Sequence, residues 1–155
     1  MDILALAAAL EGSALGVAAR SSVWLYPIAN ICHVLGAALL VGASATFDIA
    51  VLRRERAAGW VLRAGIPVAA VGLVIQLASG LVLFAAEAGP LTRNPAFLAK
   101  LAFIAAGLFN ILAFHGLFGR TIRQGPLPSG ARITAALSLL AWTAALLLGR
   151  TIAYV

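Results

Sequence analysis

The apolar positions of this chain fall into long runs rather than an alternating or soluble-helix pattern. The first run opens at Trp24 and reaches Arg53, as WLYPIANICHVLGAALLVGASATFDIAVLR. About 20 mainly apolar residues span a bilayer core as a helix, so the run predicts a first span over about 23–52. Three further runs predict spans over about 62–86, 95–118 and 133–150. Gly89-Pro90 stops the second, and Asn94-Pro95 supplies an N-cap and first helical residue for the third. A polar connector, RTIRQGPLPSGAR, separates the third from the fourth.

Ahead of these spans lie residues 1–21. Ile3, Leu6, Leu10 and Val17 recur there at roughly helical spacing, and the charges are confined to Asp2, Glu11 and Arg20. The spacing predicts a short amphipathic helix lying in the interface. A secretory signal is the other reading, although this start carries an acid where a signal has a basic region. The expected fold is therefore all-α: a polytopic membrane protein with an N-terminal interfacial helix (1–21) and a four-transmembrane-helix bundle (22–155).

Composition agrees. The 155 residues are 63% hydrophobic and 10% charged, against roughly 25% charged in soluble domains. The net charge of +6 does not point to nucleic acid, because the arginines sit in short loops between spans. Arg53, Arg54, Arg56, Arg63, Arg120, Arg123 and Arg132 crowd the first and third loops, whereas the opposite side has Arg20, Arg93 and Arg150. The positive-inside rule then puts both termini on the outer, non-cytoplasmic side of the membrane. Cys32 is the single cysteine, which excludes an intrachain disulfide and a CxxC motif, and zinc sites of the usual kind lack ligands.

Function turns on the ionisable residues inside the runs, since these are expensive in lipid and mark functional sites by default. With about 1.5 Å rise per residue, His33 lies roughly 15 Å below the outer end of its helix, and Lys100 about 8 Å into the third span. Arg150 and Glu87 close helices on that same side. Asp48 and His115 fall near the cytoplasmic end, with Asn110 between the two groups. His33 and His115 differ by about 15 Å in depth, so one iron cannot bridge them within one chain. His33 therefore has two leading readings, an interhelical hydrogen bond or the single axial ligand of a haem b, beside another metal or proton transfer. In the haem reading Lys100 and Arg150 neutralise the propionates and Gly36 makes room for the porphyrin. A two-fold dimer pairing His33 with its mate would also provide two axial ligands. Asp48 and His115 are expected as a structural polar pair, and Gln76 and Asn110 as interhelical hydrogen-bond partners. Lys100 is alternatively a snorkelling residue, and Cys32, about 100° round the helix from His33, a packing residue.

The segments WLYPIANICHVLGAALLVG, NPAFLAKLAFIAAGLFNILAFH and the closing GRTIAY resemble a family of small bacterial four-helix membrane proteins of unknown function. More distantly, a first-helix histidine among small residues and a third-helix lysine followed by a histidine are similar to the copper-resistance protein D group and to the short haem-binding protoporphyrinogen oxidases. The latter resemblance implies haem b held by His33, with Lys100 important. The tryptophan that often follows the first-helix histidine in that group is absent here.

Three functions stay open at this level: a b-type, cytochrome-like subunit of a larger membrane redox complex; a non-enzymatic accessory subunit or homo-oligomer; and a small transporter or proton-path protein. Copper handling is the least supported, because Met1 is the only methionine. No Ser-His-Asp set, HExxH, P-loop or GxGxxG is present, so any catalysis would have to come from a cofactor.

Overall fold

The computed structural model describes residues 2–124 and 127–154, with Arg123 and Gln124 as backbone only. Of the polar connector before the last span, Gly125 and Pro126 lie outside the described residues. The chain opens with two short helices, α1 (Ile3–Glu11) and α2 (Ala14–Ser21), bent by 56°. The single interfacial helix expected over 1–21 is thus a bent pair. Gly12 closes α1, and the Ser13 hydroxyl accepts from the Gly16 N–H to start α2, so a stop and a start signal fall side by side.

There follow α3 (Leu25–Leu52), α4 (Ala58–Ala86), the single turn α5 (Ala88–Leu91), α6 (Pro95–Phe118), the turn α7 (Thr121–Gln124) and α8 (Ser129–Thr151). The last helix tightens into a 3₁₀ turn at Ile152–Tyr154. Four of these, α3, α4, α6 and α8, are long and apolar enough to cross a membrane. Their bounds follow the expected spans, except that α4 and α8 start about a turn earlier. Ala58-Gly59-Trp60 and Ser129-Gly130-Ala131 add little hydropathy yet continue the helical hydrogen bonding. The α6 start is as expected, with the Asn94 carboxamide accepting from the Phe97 N–H and Pro95 beside it.

At its far end α3 stops in a Schellman turn. The Glu55 N–H reaches back to the Ala50 carbonyl and the Arg54 N–H to Val51. That turn needs a left-handed residue, and Arg54 supplies it with φ 58°.

The outward faces of the long helices are apolar. Ile31, Val34, Val74, Leu77, Phe109, Leu112, Leu140 and Leu147 are all more than half exposed. Water would penalise such a surface, whereas lipid solvates it, so this is a small integral membrane protein in contact with the bilayer. The inward faces carry small residues, as close helix approach in lipid requires. A Cβ at Gly36 would sit 2.9–3.0 Å from Ile75 and from the backbone of Gln76 and Gly72, and one at Gly72 would meet Leu40 N at 2.6 Å. The two glycines therefore let α3 and α4 cross almost backbone to backbone. Trp142 of α8 lies flat over Gly107 of α6 in the same manner.

Side by side the long helices run α4, α3, α8, α6. The larger apolar cluster lies where the α3–α4 and α6–α8 connections are made, and Phe47 meets Phe114 edge-to-face there at 5.1 Å. We term this the arginine end, after Arg53, Arg54, Arg56, Arg63, Arg120 and Arg132. The other, the terminal end, carries α1 and α2 folded onto the end of α4 and onto α5. Arg20 fastens them by donating to Ala86 O at 3.0 Å and Glu11 O at 2.7 Å, while Glu11 accepts from the Gly89 N–H at 3.1 Å.

Candidate functional site

His33 sits eight residues into α3, in the terminal half, and is partly buried. Its ring Nδ1 lies 3.0 Å from Ser79 Oγ on α4. The Ser79 hydroxyl donates its one proton to Ile75 O at 2.5 Å, so toward His33 it is an acceptor. Nδ1 of the neutral ring therefore carries the imidazole proton, and Nε2 keeps a free lone pair. Gln76, one turn before Ser79 on the same helix, donates to the His33 carbonyl at 2.7 Å. Gly80 leaves room for the ring edge, since a Cβ there would come within 3.1 Å of His33 Cε1. Three successive features of α4 (Gln76, Ser79, Gly80) thus seat one histidine of α3.

Lys100 of α6 lies within electrostatic reach of His33 and is partly buried. Its ammonium end runs along α8 at Gly149, where a Cβ would stand 3.4 Å from Nζ. A longer residue at 149 would push it away.

Two expected members of this group do not join it. Arg150 turns outward, with its guanidinium 3.2 Å from the Tyr154 hydroxyl and over that ring at 5.5 Å. It follows the chain into the 3₁₀ turn, where solvent or head groups keep its charge hydrated. Gly36 gives no slot for a flat cofactor either, because Ile75, Gln76 and Gly72 of α4 already fill the space beside it. A planar group at His33 cannot lie between α3 and α4.

Asp48 lies 15 residues further along α3, roughly 22 Å from His33. It is 4% exposed, and its Oδ2 has no hydrogen-bond partner. The Ser138 hydroxyl of α8 is within hydrogen-bond reach of its carboxyl. The expected pairing with His115 is not a direct contact. His115 is exposed and turns its Nδ1 to Ile111 O of its own helix at 3.0 Å, and no hydrogen bond or ion pair joins it to Asp48. Equal depth brought the two to one layer, but the helix rotation sends the imidazole outward. Both line a cavity of about 90 Å³ at the arginine end, together with Ser44, Phe47, Asn110 and Phe114. Asn110 performs its expected role, donating across to Thr134 O of α8 at 3.0 Å.

Among the described residues no three His, Cys, Asp or Glu side chains converge as a metal cluster. Cys32 is partly buried on α3 and has no role in either group. Ser79 is the residue of this candidate site that sequence reading missed. A serine is ordinary in an apolar helix, and only its spacing of three residues from Gln76 hinted that one face of α4 is polar. No protein-family model, curated protein or solved structure matches the chain.

Proposed function

We propose that this small integral membrane protein binds one b-type haem through Nε2 of His33. The observation that carries the reading is the Ile75–Ser79–His33 hydrogen-bond chain. A histidine whose Nδ1–H is held by a neighbouring acceptor has its tautomer and ring orientation fixed, and Nε2 is then a ready ligand. Lys100, half-buried on α6, supplies a cation suited to an anionic propionate. One-electron exchange is the chemistry such a group supplies when bound. The protein's own part is to hold the ring, keep Nδ1 protonated, and shield the site with apolar helix faces. With a single ligand histidine at this depth, a homodimer related by a two-fold axis or a partner subunit in a redox complex would provide any second ligand.

An absorption spectrum of the purified protein in mild detergent, oxidised and then dithionite-reduced, tests the reading. A Soret band with a sharpened α-band on reduction is expected, lost in His33→Ala and retained in His115→Ala. A colourless protein after growth with added haem would overturn it. That result favours a second reading, in which His33 only joins helices in an accessory subunit. The Gln76 bond to the His33 carbonyl is the observation on its side, because it ties α3 to α4 whether or not a ligand is bound.

A further inference from the structure

At the arginine end two spaces run into one another. The inner one, about 90 Å³, is lined by all four long helices and holds Asp48. The outer one, about 550 Å³, opens between α4 and α6 and shares Leu62, Ile66 and His115 with the first. Its rim carries Arg63 and Arg120, both exposed. The opening is sideways, toward lipid, because α4 and α6 do not pack along their lengths and touch through Phe84 and Phe97 at the opposite end.

Charge reverses along this path, from two guanidinium groups at the mouth to one carboxylate in the depth. Asp48 is 96% buried with Oδ2 unpartnered, so the ionised carboxylate is short of a donor at that oxygen. Ser44, Asn110, Thr134 and Ser138 line the same space. The Ser138 hydroxyl reaches the Asp48 carboxyl, and Thr134 returns its own to Ala131. Asn110 spends its amide nitrogen on Thr134, leaving its Oδ1 as an acceptor. Such a set suits a donor with several N–H groups, and the inner space is small.

We propose that this cleft binds the head group of an aminophospholipid from the surrounding bilayer, its primary ammonium against Asp48 and its phosphate against Arg63 and Arg120. Asp48 lines the inner space and the two arginines the outer one, so a head group with its ammonium inward and its phosphate outward meets opposite charge at both ends. The sideways opening leaves the acyl chains in the bilayer, along the exposed faces at Ile66 and Leu117. A quaternary choline head has no N–H and more bulk, so it keeps the phosphate contacts and loses those at Asp48. This inference is independent of haem at His33, roughly 22 Å away along α3.

The test uses the full chain, delipidated in mild detergent and titrated with phosphatidylethanolamine, phosphatidylcholine or phosphatidylglycerol. Phosphatidylethanolamine is expected to bind about tenfold more tightly than phosphatidylcholine. Asp48→Asn should erase that preference while leaving weaker binding of both, and joint replacement Arg63→Gln with Arg120→Gln should weaken both together. Native mass spectrometry of the wild-type chain from an equimolar mixture of the first two lipids gives a readout independent of any variant's folding, with phosphatidylethanolamine enriched on the protein. Equal loading, a stronger response to phosphatidylglycerol, or a preference surviving in Asp48→Asn would each overturn the proposal.

Discussion

Ser79 shows how one hydroxyl decides what a neighbouring histidine can do. Its proton goes to Ile75, so it accepts from His33, and the lone pair on Nε2 is left free. Replacing Ser79 by Ala removes that acceptor but no ligand. If His33 holds haem as proposed, the band is expected to persist in Ser79→Ala, with a midpoint potential raised by tens of millivolts because the imidazole becomes less electron-donating. Redox titration alongside His33→Ala, which should be colourless, separates support from ligation, and an unchanged potential would remove Ser79 from the site. His33, Lys100 and Asp48 could be singled out from sequence because ionisable residues are scarce in apolar runs. Their partners could not. Which neighbour a side chain meets depends on helix rotation, and that is why His115 and Arg150 point away from the groups expected for them.

Among the helices, glycine spacing has opposite meanings at different positions. Gly36 and Gly72 mark the closest approach of α3 and α4, whereas a Cβ at Gly42 would meet nothing within 4 Å. Gly36→Ala should therefore lower stability by about 1–3 kcal/mol through overpacking. Gly42→Ala should raise it by up to about 1 kcal/mol, as helix propensity alone predicts. Thermal unfolding of the two variants in the same detergent checks both signs. The α3 stop offers a further case. Arg54 takes a left-handed conformation that costs a side chain roughly 1–2 kcal/mol and costs glycine little, so Arg54→Gly should raise the melting temperature. A fall would mean the arginine side chain contributes more than its backbone loses. The helices themselves were legible because span length and the Asn94-Pro95 start are local signals. The bend between α1 and α2 was visible too, in Gly12-Ser13, but the even apolar spacing on either side hid it. Gly36 read equally well as a notch or a slot, because that choice belongs to α4, not to α3.

For the molecule as a whole, the arginine distribution predicts which end faces the cytoplasm. In a Cys32→Ala background, a cysteine at position 55 between α3 and α4 should resist a membrane-impermeant maleimide in intact cells. One at position 92, beside α5, should react. The reverse labelling pattern would invert the topology. Four spans were readable from hydropathy, but their neighbour order was not, since loops this short permit more than one ring order.

That order has a mechanical consequence. The molecule is two helical hairpins joined along the α3–α8 seam, like a book bound at the spine, with the free edges of α4 and α6 clasped at one corner by stacked Phe84 and Phe97. At the other corner α7 returns to α4, with the Ile122 carbonyl against Gly59. The gap between α4 and α6 is thus pinned at both ends, and a window rather than a hinge faces the lipid.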